Sequence, residues 1–214
     1  MTDAHFHRGA YDTFLAFSGG ERRFFGTHPW QVDETPPDVV ALRAALVADP
    51  SAGVGEIGLD RLRSRVVSTA QREAFAAQLE LAAELRRPVV LHGAKCWGEV
   101  VKECRRFAGR IPAFLFHGFS RSEGLLPEMF AMNGFVSIGP AILNDHAVNY
   151  RRMAAALPEE RILAETDAAW DDAAAHETQI AAIVARLAEL RGTPPASLAE
   201  TIEISTCKFL QYMA

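Results

Sequence analysis

A chain of 214 residues with 49% hydrophobic and 23% charged side chains has the composition of a single globular domain, here taken to span residues 1–214, and excludes a disordered protein. No run of about 18 apolar residues occurs, so no membrane-spanning helix is expected, and Met1–His5 lacks the basic-then-apolar pattern of a secretory leader. A formal charge of −5 disfavours a protein that coats nucleic acid over its whole surface, while leaving room for a local basic patch.

Along the chain, short apolar or β-branched runs end in polar or glycine-containing clusters near His7, His28, Gly58, His92, His117, Gly139 and Asp167. Most are followed by a longer, helix-like stretch. The spacings of 21, 30, 34, 25, 22 and 28 residues suit a strand, its loops and a crossover helix. Repeats of this kind predict an α/β fold, a TIM-like (β/α) barrel with about seven parallel strands. The 20 residues between His7 and His28 are the exception. They are too few for a full unit and predict either a hairpin turning at Gly19–Gly20 or a short helix feeding the next strand.

Three helices are predicted in the remainder. Residues 69–87 carry Phe75, Leu79, Ala82, Ala83 and Arg86 at helical spacing, with Ser68 and Gln71 placed as a capping box and Pro88 as the stop. Residues 177–191 present Ile180, Ile183, Val184 and Leu187 on one face before Gly192. A last helix is expected from Ser197, presenting Leu198, Ile202, Phe209 and Met213. Cys96, Cys104 and Cys207 are odd in number and form no CxxC pair, which argues against disulfides and a cysteine–zinc site and points to the reducing cytoplasm.

Four of the seven histidines, His5, His7, His92 and His117, fall where a predicted strand meets its loop, as do Glu56 and Asp167. On a parallel barrel those ends share one mouth. His5 and His7 are two apart, so their imidazoles lie on one face of a strand. Such a pair alone is as readily a hydrogen-bonded core pair as a metal site. Joined by His92, His117, Glu56 and Asp167 it becomes a nitrogen and carboxylate set suited to one or two divalent ions such as Zn²⁺, Mn²⁺ or Mg²⁺. For Asp167 an N-cap of the next helix is the competing reading.

The blocks Asp3–His7, Gly26–Pro29, Gly55–Asp60, Val89–His92, His117–Ser120 and Glu165–Asp167 together resemble, in order, the signature blocks of the TatD family of metal-dependent hydrolases and deoxyribonucleases. The resemblance implies two divalent metal ions. His5, His7 and Asp167 would hold one, His92 and His117 the other, and Glu56 would bridge them. It further implies hydrolysis of phosphodiester bonds of DNA or a related phosphoester by a metal-activated water, with Asp167 and Glu56 as catalytic groups.

Several positions depart from that family's pattern. The segment between His7 and His28 is much shorter, which predicts that the usual second strand and its flanking helices are missing or replaced by a local hairpin. The barrel is then incomplete, with a seam near residues 10–25 that Phe14, Phe17, Phe24 and Phe25 plug or a second copy of the chain covers. Ala94 and Lys95 stand where an arginine is usual, Arg121 follows His117 where glycine is frequent, and no proline follows Asp167. Arg61 and Arg63 are read either as a phosphate-steering patch or as a solvated, salt-bridged loop. Trp30, Trp97 and Trp170 either wall a pocket or pack over the barrel. His28 is read as a donor to substrate, not a ligand; Lys95 and Trp97 are further substrate-binding candidates. Asp60 is taken as a loop organiser, and His146 and His176 as surface residues. Two other functions remain open: an amide, ester or lactone hydrolase on the same site, and a non-catalytic metal-binding homologue.

Overall fold

Alternating and fully apolar runs become eight strands: β1 (Asp3–Arg8), β2 (Asp12–Phe17), β3 (Gly20–Phe25), β4 (Gly53–Asp60), β5 (Val89–Ala94), β6 (Phe114–Phe116), β7 (Gly134–Ile138) and β8 (Ile162–Ala164). The helices are α1 (Pro29–Val32), α2 (Val39–Ala48), α3 (Thr69–Leu85), α4 (Trp97–Arg105), α5 (Leu126–Ala131), α6 (Val148–Ala156), α7 (Ala173–Arg191) and α8 (Pro195–Leu210). This computed structural model describes residues 2–32, 34–63, 65–120, 123–169 and 172–213.

The strands form one sheet in chain order. β2 runs antiparallel to both β1 and β3, and every later neighbour pair is parallel. Seven strands therefore point one way, as the spacing predicts, and β2 alone is reversed. The sheet curls until the chain just past β8 meets β1: the Asp167 N–H donates to the His5 carbonyl at 3.0 Å, and the His7 N–H to the Ala168 carbonyl at 2.7 Å.

The hairpin expected at Gly19–Gly20 is present between β2 and β3. A tight turn consumes so little chain that two strands fit where a βα unit does not. The predicted seam near residues 10–25 is consequently absent, because β2 and β3 fill that part of the wall. Thr13, Leu15 and Phe24 are buried. Phe14 and Phe25 lie beneath Arg8 and Arg23, whose guanidinium groups sit 4.9 Å from the Phe14 ring and 4.7 Å from the Phe25 ring respectively.

Two apolar cores follow from the period-two alternation of the strands. One includes Leu15, Phe24, Val90, Leu115, Phe135 and Leu163, with Phe209 and Met213 from the end of the chain packed against them. The larger core packs helices on the sheet and includes Phe75, Leu79, Val100, Ile183 and Leu187. Fully burying one such side chain stabilises the fold by about 1.5–3 kcal/mol.

Helix ends differ from the sequence expectation by a few residues, each for a visible reason. Ser68 caps α3 by accepting the Gln71 N–H at 3.1 Å. The Gln71 side chain instead accepts the Asp60 N–H at 3.0 Å, tying α3 to the end of β4. α3 stops at Leu85 because Arg86 takes the left-handed conformation, φ 52°. α7 starts four residues early because the Asp172 side chain caps Ala174 and Ala175, and α8 starts at Pro195, a residue suited to the first helical turn.

Candidate metal centre

Five strands deliver the predicted set to one mouth. His5 and His7 come from β1, Glu56 from β4, His92 from β5, His117 from the residue after β6 and Asp167 from the turn after β8. Around one point, His5 Nε2 lies 3.4 Å from Glu56 Oε2 and 3.6 Å from Asp167 Oδ1. His7 Nε2 lies 3.6 Å from Glu56 Oε2 and 3.5 Å from Asp167 Oδ1. Donor atoms bound at about 2.1 Å in a tetrahedron stand about 3.4 Å apart, which is the spacing seen here. These contacts are too long for good hydrogen bonds, and both ring nitrogens of His5, though buried, have no hydrogen-bond partner. A cation at that point would satisfy Nε2.

The other oxygen of Glu56 faces a second group. Glu56 Oε1 lies 2.7 Å from His92 Nδ1 and 3.1 Å from His117 Nε2. Each of these imidazoles is held from behind by a carboxylate. His92 Nε2 pairs with Asp60 Oδ2 at 2.9 Å, and His117 Nδ1 lies 3.3 Å from Glu165 Oε1, which also accepts the Gly118 N–H at 2.9 Å. Such partners fix the ring and its tautomer while leaving the inward nitrogen free to bind a metal. Gly58 makes this part of the wall possible: at φ 155°, a Cβ there would stand 2.0 Å from the His92 carbonyl oxygen.

His28 also reaches the second group, 3.7 Å from Glu56 Oε1 and 3.4 Å from His92 Nδ1. Its Nδ1 accepts the Trp30 backbone N–H at 3.1 Å, so in the neutral ring the proton sits on Nε2 and points into the pocket. Burial keeps the ring neutral: desolvation lowers its pKa further than Glu56 raises it. His28 thus turns a donor towards the mouth, and its ring also stands in a group with Glu56 and His92 whose donor atoms are close enough to hold a metal ion. The loop carrying it is pinned by Gln78 of α3, which accepts the Thr27 N–H at 2.7 Å and donates to the Thr27 carbonyl.

At Glu56, His92, His117 and Asp167 the electrostatics have one sense. Burial alone would raise the Glu56 carboxyl, but the charges of His117 and His92, with hydrogen bonds from His117 and His28, hold it well below the usual carboxylate range. Burial would lower His117 and His92; Glu56 together with Glu165 or Asp60 overcomes it and raises both. Desolvation is likewise outweighed at Asp167, where the polar contact with His7 and the charges of His117 and His5 bring the carboxyl down. The carboxylates remain anionic and draw positive charge into the cluster. A divalent cation satisfies the same demand as the protons. A cavity of about 190 Å³ opens over the cluster, lined by His7, Ala10, Tyr11, His28, Trp30, Glu56, His92, His117 and Asp167.

The remaining candidates divide. The N-cap of α7 is Asp172, so Asp167, at φ 52°, is free to face the cluster. Arg61 is engaged by Glu99, in keeping with the salt-bridged reading, whereas Arg63 stands over the Trp30 ring at 5.5 Å. Lys95 is exposed, on the turn after β5. Trp97 is a correction: only 2% exposed, it packs between Gly93, Phe116 and Phe119 and offers no surface to a substrate. Trp170 and Arg121 lie outside the described residues. His176, expected at the surface, is buried and bonds Asp3 at 2.7 Å, where Thr166 also donates. This network joins β1 to α7 and the turn after β8. Asp60 proves to be more than a loop organiser, and Glu165 escaped notice. Asp60 was legible as a strand partner, four residues from Glu56 on β4, and Glu165 only by its place two residues before Asp167.

Fold and site together define a (β/α)-barrel protein with a cluster of metal-type ligands at the carboxyl ends of its strands. The chain belongs to the TatD related DNase family, whose pattern matches residues 15–211. A relative named 3'-5' ssDNA/RNA exonuclease TatD, from Klebsiella pneumoniae, is 32% identical over 145 residues, covering 67% of this chain and 55% of its own length. The chain thus matches little more than half of that relative. The metal-dependent hydrolase YabD of Bacillus subtilis, described as uncharacterized, is 26% identical over 143 residues, covering 66% of this chain and 56% of its own length. Among solved structures, the TatD homologue YjjV of Escherichia coli superposes with a TM-score of 0.74 at 26% identity, covering 87% of this chain and 75% of that one. Among the described residues no helix is long and apolar enough to cross a membrane.

Proposed function

We propose that this protein is a divalent-metal-dependent hydrolase that cleaves phosphodiester bonds of single-stranded nucleic acid. The observation that carries the reading is the division of the Glu56 carboxylate, one oxygen toward His5 and His7 and the other toward His92 and His117. On this reading His5, His7 and Asp167 would hold one ion and His92 and His117 a second, with Glu56 offering an oxygen to each. Mg²⁺, Mn²⁺ and Zn²⁺ all suit this donor set. Two such cations, when bound, would supply an acidified water and neutralise charge building on the phosphoryl oxygens.

The chain's own groups do the rest. Asp167, half-exposed at the cavity, accepts the proton given up by the attacking water. His28 donates Nε2–H to a phosphate oxygen, and Asp60 and Glu165 keep His92 and His117 from turning. The choice of a nucleic acid substrate draws on the activity named for the Klebsiella relative, and metal dependence on the name of the Bacillus one. A cytoplasmic setting is part of the proposal and accords with three free cysteines, two of them buried.

Purified protein loaded with Mn²⁺ or Mg²⁺ is expected to shorten single-stranded DNA, with His92→Ala and excess chelator each abolishing turnover. Undiminished activity in chelator would reject the proposal, as would turnover of amides, esters or lactones without any phosphodiester cleavage.

A further inference from the structure

Beside the cluster lies an open depression of about 510 Å³ lined by Tyr11, Trp30, Leu62 and Arg63. Tyr11 and Trp30 also line the cavity over the cluster, so the two spaces adjoin. Both aromatic rings stand against His28, Trp30 edge-on at 4.9 Å between centroids and Tyr11 tilted at 5.6 Å. His28 in turn reaches Glu56 and His92. One imidazole therefore separates the aromatic walls from the reacting centre. The Trp30 indole is fixed by its Nε1–H bond to Asp60 at 2.8 Å, yet it keeps 38% of its surface exposed. Arg63, over that ring at 5.5 Å, is the charged side chain among the four.

We propose that this depression is a nucleobase subsite, taking the base of the nucleotide next to the phosphate held at the cluster. The inference rests on the phosphodiesterase reading and names which part of the substrate the chain grips. Partly exposed aromatic rings are stacking surfaces, here with the Arg63 guanidinium over Trp30 as a side chain that a base would displace or lie beside, and a base has a π-face whatever its identity. A cation beside them suits the adjoining phosphate, in a protein whose formal charge is −5. The rings stand at the rim of the mouth, where only an unstacked base can lie flat against them, so the geometry favours a single strand over a duplex. Tyr11 comes from the turn between β1 and β2, so the reversed strand itself places this wall.

The test compares two probes on Mn²⁺-loaded protein: a short oligothymidylate and an abasic chain of equal length, both with phosphorothioate linkages for the binding measurement. Wild type is expected to bind the base-bearing chain about tenfold more tightly, a difference of about 1.4 kcal/mol. Tyr11→Ala should bring that ratio towards one, while Tyr11→Phe, which keeps the ring, should retain it; Arg63→Ala, which removes a phosphate contact that both chains share, should weaken both alike and leave the ratio. A wild-type ratio of one, or a full ratio in Tyr11→Ala, would overturn the subsite. If Tyr11→Ala no longer unfolds cooperatively, Tyr11→Leu, which keeps apolar bulk without a π-face, decides. Cleavage of the same chains with natural linkages is followed in parallel. No cleavage of either chain sinks the phosphodiesterase reading and leaves the binding ratio to judge the subsite.

Discussion

Replacing Asp60 by asparagine is the sharpest probe of how the second half of the cluster is held. Asp60 is fully buried, and both of its oxygens face donors. Oδ1 accepts the Leu62 and Arg63 N–H groups at 2.7 and 2.9 Å. Oδ2 accepts the Trp30 indole N–H at 2.8 Å and pairs with His92 Nε2 at 2.9 Å. An amide nitrogen placed on either side therefore meets N–H groups and leaves buried donors unpaired. That costs about 1–3 kcal/mol, or about 2–12 °C in melting temperature for a chain of this length. Losing the carboxylate behind a ligating histidine weakens metal binding by about 10–100-fold. The loss should fall on the half of the cluster holding His92 and His117 and spare the half holding His5, His7 and Asp167. Calorimetric titration with Mn²⁺ separates the two events, one weakened and one near wild type. Unchanged binding of both ions, or an equal loss of both, would refute the reasoning.

Three further outcomes follow from the same geometry. Mn²⁺ at about a hundred times its dissociation constant should stabilise the wild type by about 2.7 kcal/mol per site, raising the melting temperature by about 5–11 °C for each. Glu56→Gln should lose most of that gain, and a wild type whose melting is indifferent to metal would contradict the cluster's reading. Trp97→Ala should lower stability by about 3–5 kcal/mol in chemical denaturation yet leave the number of bound metals unchanged; a change in stoichiometry would return Trp97 to the site. Gly58→Ala sets a Cβ against the His92 carbonyl and should destabilise by more than about 4 kcal/mol, so a wild-type melting curve would show that β4 and β5 can separate there.

Much of the rim was readable from residue order because the βα rhythm places each strand end at the mouth. His5, His7, Glu56, His92, His117 and Asp167 converge as that rhythm implies. What escaped reading depends on partners distant in sequence. Gln71 looks like half of a capping box, but Asp60, eleven residues earlier, offers its side chain a better-placed donor. Trp97 sits shortly after a strand end, as a pocket wall would, yet as the first residue of α4 it faces inward onto Gly93, which has no side chain to fill that space. His176 falls in a polar stretch, and only the turn of α7 that carries it to Asp3 makes it a core residue.

The reversed β2 shows why shortening the segment before His28 leaves the cluster intact. A barrel strand serves the site through its carboxyl end, and β1, β4, β5, β6 and β8 carry all six converging residues. The wall next to β1 is needed only for closure, which depends on apolar side chains facing inward, and direction does not enter. β2 meets that need with Thr13 and Leu15 buried and its backbone paired to β1 and β3. Reversal also changes what stands at the mouth there. In place of a strand end and a βα loop, the mouth receives the tight Gly9–Tyr11 turn, and Ala10 and Tyr11 from it line the cavity. The shortened segment therefore leaves the converging groups in place and alters the wall of the cavity beside them, so, on the proposed function, specificity is the property on which this chain should differ from barrels with a complete second unit.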